Sequence, residues 1–236
     1  MSSTTKPKPP SERKIPQLIA GDHLDQKTFH ERYVAMPENV KAELVEGIVY
    51  MAASALSAAH GFQHSDLHGW LWMYKVATVG VAVADNATTI LGEYSEPQPD
   101  SSLMVLREYG GQAYINSKGF FEGAPELTAE VALSSESYDM HAKLRDYERA
   151  GVKEYLVVLL NQKRIAWHVR DSSKPGFVQL KPDAEGILKS KFFGGLWLDP
   201  AALMRGDANT FIKVLQSGLA SPEHAAFVKS LTRRKK

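Results

Sequence analysis

Residues 123–158 read GAPELTAEVALSSESYDMHAKLRDYERAGVKEYLVV, and this stretch decides the fold. It predicts a strand carrying an acidic residue, Glu130, then a serine-rich turn, a helix and a second apolar strand. Alternate residues of a strand face opposite sides of a sheet, so Glu130 points away from the apolar residues around it. Those apolar residues are Leu127, Ala129, Val131 and Leu133. A carboxylate is costly to bury unless it binds a cation or hydrogen-bond donors, so the pattern predicts a cleft on the side of Glu130.

Two further charged positions accompany Glu130. Gln98-Pro99-Asp100 places a second acid at the start of a predicted strand over residues 101–106, and the helix after Glu130 carries Asp139 and Lys143. Two acids on neighbouring strands with a lysine nearby favour a Mg²⁺ site for phosphodiester chemistry. The alternative is a buried Glu130–Lys143 ion pair, with Asp139 a first-turn acid favoured by the helix dipole. Spacing alone leaves both interpretations open.

Composition limits the class of protein. The chain has 236 residues, of which 44% are hydrophobic and 23% are charged, and its formal net charge is +1. These values fit one sizeable globular core. The absence of cysteine excludes disulfides, thiolate zinc sites and cysteine catalysis, and it suits a reducing cytoplasm. Without a membrane-length apolar run or a signal-peptide core, we expect a cytoplasmic protein with no membrane partner.

Periodicity and turn signals predict one α/β domain with a mixed sheet. We expect a disordered basic tail over residues 1–15, a main domain over 16–204 and a helical C-terminal extension over 205–236. Expected helices cover residues 26–36, 58–76, 138–150, 201–204, 210–219 and 222–231. Phe62 belongs to the apolar side of the helix over 58–76, and Tyr147 to the inward-packing side of the helix over 138–150, which Gly151 ends. Expected strands cover residues 42–51 as a hairpin that turns at Glu46-Gly47, 81–91, 101–106, 155–160, 164–169, 177–181 and 188–193, and we expect residues 107–125 to form a loop. Residues 155–160 are apolar at every position and predict a central strand, and the last three strands are expected to continue the same sheet.

Several motifs occur in an order that resembles a known family. They are AELVEGIVYM (residues 42–51), SAAHG (57–61), QPD (98–100), the stretch quoted above and FFGGLWLD (192–199). The chain is similar over about residues 27–204 to the Uma-two family of the PD-(D/E)xK, restriction-endonuclease-like superfamily. This resemblance implies a restriction-endonuclease-like α/β fold with a mixed β-sheet core flanked by helices. It also implies a Mg²⁺- or Mn²⁺-dependent endonuclease acting on nucleic acid, with DNA the expected substrate.

The resemblance also implies roles for particular residues. Asp100 and Glu130 would bind the divalent ion, and Glu43 in the first hairpin would be a further acid. Lys143 would be the catalytic lysine, because position 132 is alanine where the simple motif has lysine. Asp139 and His60 are accessory candidates. Cutting both strands of a duplex requires two active sites, which makes a homodimer the expected assembly.

Two other functions stay open. The first is a nucleic-acid-binding or interaction protein that kept the fold without turnover. The second is a metal-binding protein that uses His60, His64 and His68, which lie at i, i+4 and i+8 of a predicted helix. The outer two are about 12 Å apart along the helix axis, so one ion could take a pair with Asp66 or with another segment. The serines at positions 134, 135 and 137 form no nucleophile elbow, and we expect them to form the turn and cap of the helix.

Overall fold

The computed structural model describes residues 15–51, 57–171 and 173–235. The expected disordered tail therefore falls outside the described residues, except for residue 15. The helices are α1 (Gln26–Tyr33), α2 (Ala58–Ala77), α3 (Glu136–Tyr138), α4 (Leu144–Ala150), α5 (Pro200–Met204), α6 (Ala208–Leu219) and α7 (Pro222–Arg234). A π-helical turn, Asp139–Lys143, joins α3 and α4.

Thirteen strands form one large sheet and three small ones in the described part of the chain. They are β1 (Ala42–Val45), β2 (Ile48–Met51), β3 (Val81–Asp85), β4 (Thr89–Ile90), β5 (Ser101–Val105), β6 (Tyr114–Ile115), β7 (Phe121–Glu122), β8 (Leu127–Ala132), β9 (Glu154–Leu159), β10 (Arg164–Arg170), β11 (Phe177–Gln179), β12 (Leu188–Lys189) and β13 (Trp197–Leu198).

The large sheet has the strand order β11-β10-β9-β8-β5-β3. Its two middle strands, β8 and β9, are parallel, and the connection between them is the helical segment that contains the π turn. The remaining neighbours are antiparallel. The mixed sheet flanked by helices confirms the predicted fold class, and β9 is the buried central strand that its uniformly apolar residues 155–160 predict.

Side chains from the two faces of the large sheet enter different cores. Leu156 and Val158 of β9 join the larger core, whereas Tyr155, Val157 and Leu159 join a smaller one that also contains Tyr147. Helices α2 and α5 contact the sheet and contribute to the larger core. Glu130 has the same strand parity as Ala132, which lies in the smaller core. The helical segment over residues 136–150 therefore lies on the face to which Glu130 points.

The C-terminal helices are part of the larger core. Phe211 and Leu215 of α6 and Leu231 of α7 are buried in it. His224 of α7 also contacts the Thr78 hydroxyl at the end of α2, with Nε2 and Oγ1 2.9 Å apart. Helices α6 and α7 thus pack against the same core as the sheet.

The turn of the first hairpin and the end of α4 lie where the sequence predicts them. The β1–β2 hairpin turns at Glu46 and Gly47, both of which have positive φ. Gly151 ends α4 with a φ of 95°, a conformation that residues other than glycine adopt only with strain.

Four expectations about local structure were wrong. The strand expected over residues 81–91 ends at Asp85, because Asn86 has a φ of 48° and interrupts it before β4. The loop expected over residues 107–125 contains a 3₁₀ turn and strands β6 and β7; β7 pairs with both β4 and β6 in a separate sheet. Strand β12 pairs with β13 instead of extending the large sheet. Phe62, expected on the apolar side of α2, is 73% exposed.

Candidate active site

Glu130 lies in the middle of β8 and is buried. Its Oε1 accepts hydrogen bonds from Lys143 Nζ at 2.8 Å and from the Tyr147 hydroxyl at 2.9 Å. Its Oε2 accepts a longer bond from the main-chain amide of Asp100 at 3.3 Å. The buried carboxylate is thus surrounded by donors, as its position among apolar residues requires.

Lys143 is the buried cation of this cluster. It ends the π-helical turn, and its Nζ lies 2.9 Å from Glu43 Oε1 as well as 2.8 Å from Glu130. Asp139, one turn earlier, is 3.8 Å from the same nitrogen. Lys143 also lies 5.3 Å from the centre of the Tyr138 ring, close enough for a cation–π contact. Three carboxylates therefore surround one ammonium group.

Asp100 lies at the strand end next to Glu130. Its Oδ2 accepts a hydrogen bond from the Val131 amide at 2.7 Å, and His60 Nε2 is 3.5 Å from the same oxygen. Strand pairing explains this position, because Ser101 is opposite Ala129 in the β5–β8 register. Antiparallel extension of that register by one residue brings Asp100 beside Glu130.

Glu43 and Asp139 connect the cluster to the elements around it. Glu43 is on β1, and its Oε1 also accepts the Gln98 amide at 2.6 Å, which ties the hairpin to the turn before Asp100. Asp139 Oδ2 accepts the Ser135 hydroxyl at 2.5 Å. Ser135 is the N-cap residue of α3, as expected of the serine-rich turn, but its hydroxyl is used to hold Asp139.

The electrostatics of the cluster follow from burial and crowding. Burial raises the pKa of Glu130 well above its ordinary value, and the neighbouring carboxylates of Asp100, Asp139 and Glu43 raise it further. Burial likewise raises the pKa of Asp139. For Lys143, burial disfavours the charged form, but Glu130 and Glu43 outweigh it and raise the lysine pKa well above its ordinary value. The ammonium is therefore retained, and burial disfavours the ionised forms of Glu130 and Asp139 beside it.

Asp100 and His60 form a second pair of ionisable groups, with His60 Nε2 3.5 Å from Asp100 Oδ2. Burial opposes ionisation of Asp100, but the hydrogen bonds from His60 and the Val131 amide lower its pKa below the ordinary value. The same contact raises the pKa of His60. Asp100 is therefore held as a carboxylate next to an acid that favours its proton, an arrangement that a bound cation would relieve.

The site contains two tyrosines, Tyr147 and Tyr138, that the sequence did not identify as site residues. Tyr147 was assigned to inward packing, and it does pack in the smaller core, but its hydroxyl also reaches Glu130. Tyr138 stacks against Tyr50, with ring centres 4.1 Å apart, and its buried hydroxyl has no hydrogen-bond partner among the described residues. The spacing of Asp139, Lys143 and Tyr147 at i, i+4 and i+8 was the available signal that all three share one helix face.

The histidines of α2 divide between two places. His60 borders Asp100, whereas His64 lies beside Asp85, with Nε2 and Oδ1 3.2 Å apart. His64 Nε2 is also 2.9 Å from the Asp100 main-chain oxygen, and His68 Nδ1 is 3.0 Å from the Ser101 hydroxyl. The sequence allowed a pair of these histidines to share an ion with Asp66 or with a residue of another segment. The acid that lies beside His64 and His68 is Asp85 of β3.

Among the described residues, no helix combines the length and apolar character needed to cross a membrane.

Comparison with known proteins identifies the family and the fold of the chain. Residues 28–201 match the family model Uma2, described as "Putative restriction endonuclease". A solved structure described as a putative nuclease from Anabaena variabilis ATCC 29413 is 15% identical, with a TM-score of 0.51. The alignment covers 80% of this chain and 97% of that one, and at this identity it bears on the fold alone. A search of curated proteins finds no match. Because the family model matches well over half of this chain, the chain belongs to the Uma2 family and is a restriction-endonuclease-like protein.

Proposed function

We propose that this protein is a Mg²⁺- or Mn²⁺-dependent endonuclease that hydrolyses phosphodiester bonds, with DNA as its substrate. The observation that carries the proposal is the position of Lys143, whose ammonium lies 2.8 Å from Glu130 and 2.9 Å from Glu43 beside the acid Asp100. An acid pair with a lysine at this distance is the set of groups that phosphodiester hydrolysis needs. Family membership supports a nucleic-acid substrate.

The donor set suits a hard divalent cation. Asp100 and Glu130 supply carboxylate oxygens, the ligands that Mg²⁺ prefers. The hydrogen bonds from Lys143 and Tyr147 use Oε1 of Glu130, and those from the Val131 amide and His60 use Oδ2 of Asp100. The second oxygen of each carboxylate therefore has fewer or longer contacts, which leaves it available to a cation. Cation binding would favour the ionised form of Glu130, which burial disfavours.

The chain's own groups have separate tasks in this mechanism. When bound, the ion would polarise a phosphoryl oxygen and lower the pKa of a water ligand. The Lys143 ammonium offsets the negative charge that develops on the phosphoryl group, and it does so from a fixed position because Glu43, Glu130 and Asp139 hold it. Because these contacts already hold the ammonium in place, it does not have to move during the reaction.

His60 and Asp139 act as positioning residues in this proposal. The contact between His60 and Asp100 Oδ2 orients one proposed ligand. Asp139, held by Ser135, orients Lys143. The assembly that we propose for duplex cleavage is a homodimer, which would bring two such sites to the two strands.

Plasmid nicking tests this function. Supercoiled DNA is incubated with the full chain and Mg²⁺ or Mn²⁺, and Glu130→Ala and the nearly isosteric Glu130→Gln are compared with Glu31→Gln, a change at an exposed position. We expect nicking by the wild type and by Glu31→Gln, none without metal, and a loss of at least 100-fold in both Glu130 variants. Circular dichroism establishes that each variant is folded.

The outcome separates the proposed nuclease from its alternative. A wild-type chain that cuts neither single- nor double-stranded DNA nor RNA with either ion, yet binds one of them, would be a nucleic-acid-binding protein on the same fold. Nicking that survives in folded Glu130→Gln would contradict the site.

A further inference from the structure

A second group of side chains that could bind a metal lies at the C-terminal end of β3. His64 and His68 are one turn apart on α2, and Asp85 is the last residue of β3. One possible ligand atom from each residue lies within 4.8 Å of the other two. We propose that these three residues form a metal site, separate from the carboxylate cluster, for Zn²⁺ or a similar transition-metal ion such as Co²⁺.

One ligand–ligand distance already matches a shared ion, and the others lie within 4.8 Å. Zinc binds imidazole nitrogen and carboxylate oxygen at about 2.0–2.2 Å, so two ligands of one tetrahedral ion lie about 3.3 Å apart. His64 Nε2 and Asp85 Oδ1 are 3.2 Å apart. The i, i+4 spacing of the two histidines puts both rings on one face of α2, with centres 6.1 Å apart.

The ligand types distinguish this site from the carboxylate cluster. Two imidazoles and one carboxylate suit borderline ions such as Zn²⁺ and Co²⁺, whereas Mg²⁺ prefers oxygen ligands alone. The two groups therefore select different ions. The proposal does not rest on the nuclease function, because none of His64, His68 and Asp85 belongs to the carboxylate cluster, although His64 contacts the main-chain oxygen of Asp100.

Neighbouring groups already orient the two rings. The Ser101 hydroxyl contacts His68 Nδ1 at 3.0 Å, and such an outer partner is the usual companion of a metal-bound histidine. His64 Nε2 lies 2.9 Å from the Asp100 carbonyl oxygen and would give up that contact on binding metal. The carbonyl would keep the hydrogen bond that it accepts from the Asn86 amide at 3.2 Å. Metal binding at His64 thus leaves no buried acceptor unsatisfied at this position.

The site opens to solvent. Together with Gly61, Gly69 and Trp72, the three ligands line a surface cleft of about 410 Å³. A Cβ added at either glycine would meet nothing within 4 Å, so the cleft mouth is open. The Asp85 side chain is 54% exposed. An ion could enter directly, and three protein ligands would leave one position for water or a substrate group.

A titration of Zn²⁺ into the full chain tests the proposal. The titration is followed by calorimetry in millimolar Mg²⁺, which competes with Zn²⁺ for oxygen ligands but not for the two histidines. We expect one equivalent of Zn²⁺ to bind and both His64→Ala and His68→Ala to weaken binding by more than about 100-fold, since loss of even an outer partner costs 10- to 100-fold. His141→Ala, at an exposed histidine on another helix, is the matched control and should bind as the wild type does.

A spectroscopic measurement keeps the test independent of activity. Co²⁺ bound by two histidines and a carboxylate in a four-coordinate site absorbs visible light strongly, whereas Co²⁺ in an octahedral oxygen site absorbs weakly. The strong band should appear in wild type and Asp100→Asn and be absent from the His64 and His68 variants. Circular dichroism and thermal melts without metal show that the variants are folded. Equal Zn²⁺ affinity in wild type and a folded His64→Ala/His68→Ala protein, or no Zn²⁺ binding by the wild type, would overturn the proposal.

Discussion

The main-chain amide of Asp100 donates a hydrogen bond to the side chain of Glu130, 3.3 Å away. In return, the Asp100 carboxylate accepts the amide that follows Glu130, that of Val131, at 2.7 Å. Each acid is therefore positioned by the backbone of the other's strand, through the register of β5 and β8. The fold therefore fixes the relative position of the two acids, because side-chain rotation alone cannot separate the two residues.

Lys143→Ala should abolish turnover with little change in Mg²⁺ affinity. The ammonium acts on charge that develops in the transition state, whereas the proposed metal ligands, Asp100 and Glu130, remain. We expect a loss of about 100-fold or more in the nicking rate constant, and Lys143→Arg should also be poor, since a planar guanidinium cannot replace a compact ammonium.

The control for Lys143 is Lys229→Ala, an exposed lysine on α7. Removing one partner of a buried ion pair typically costs about 3–5 kcal/mol, so the rates are compared at a temperature at which the melts show every variant folded. A folded Lys143→Ala protein that cuts at the wild-type rate would show that another group performs this task.

Asp100→Ala should remove the stabilisation that Mg²⁺ gives to the fold. An ion that binds only the native state raises stability by mass action, by about 2.7 kcal/mol at a concentration 100 times its Kd. The wild-type melting temperature should therefore rise with millimolar Mg²⁺, and that of Asp100→Ala should not. Calorimetric melts with and without the ion decide the point, and equal shifts in both proteins would exclude Asp100 as a ligand.

Tyr147→Phe should cost stability with the core packing retained. The ring stays in the smaller core, but Oε1 of Glu130 loses one of the hydrogen bonds that satisfy it. Leaving a buried acceptor short of a donor costs about 1–3 kcal/mol. Urea denaturation measures the difference, with Tyr94→Phe at an exposed tyrosine as the control. A loss no larger than the control's would mean that Lys143 alone satisfies this oxygen.

Asp146→Asn should stabilise the protein above about pH 6 and have little effect near pH 4. Burial raises the pKa of Asp146 to about 6, although Ser95 donates a hydrogen bond to it. As the pH rises, Asp146 therefore ionises at a lower pH in the unfolded chain than in the folded protein. The stability that its protonated form contributes is lost as the pH rises from about 4 to about 6. A shift of about two units sets an upper limit of about 3 kcal/mol for the gain.

Urea denaturation at pH 4 and pH 7.5 measures this pH dependence, with Glu38→Gln at an exposed position as the control. A gain of equal size at both pH values would show that the effect comes from packing and not from titration.

Sequence signals were most informative where local chemistry decides the structure. The Glu46-Gly47 turn and the Gly151 helix end both depend on positive φ, which glycine tolerates and a reader of the sequence can recognise. The side of the sheet to which Glu130 points follows from strand parity alone. These features need no knowledge of distant parts of the chain.

Other features depend on pairing partners far away in sequence. Strand β4 has two residues, and its neighbour β7 begins more than 30 positions later, so no local pattern marks either. Asp85 joins His64 and His68 only because β3 pairs with β5 beside α2. Tyr147 illustrates another limit, since a tyrosine in an apolar stripe gives the same signal whether or not its hydroxyl reaches a carboxylate.

The burial of Leu231 near the end of α7 has a consequence for the smallest stable form of the molecule. The family match ends at residue 201, but Phe211, Leu215 and Leu231 belong to the core that the sheet and α2 share. Truncation at residue 201 would expose the apolar surface beneath these side chains, and each large apolar residue buried there contributes about 1.5–3 kcal/mol. The family segment is therefore shorter than the length of chain that builds this core, because α6 and α7, which lie beyond residue 201, supply part of it.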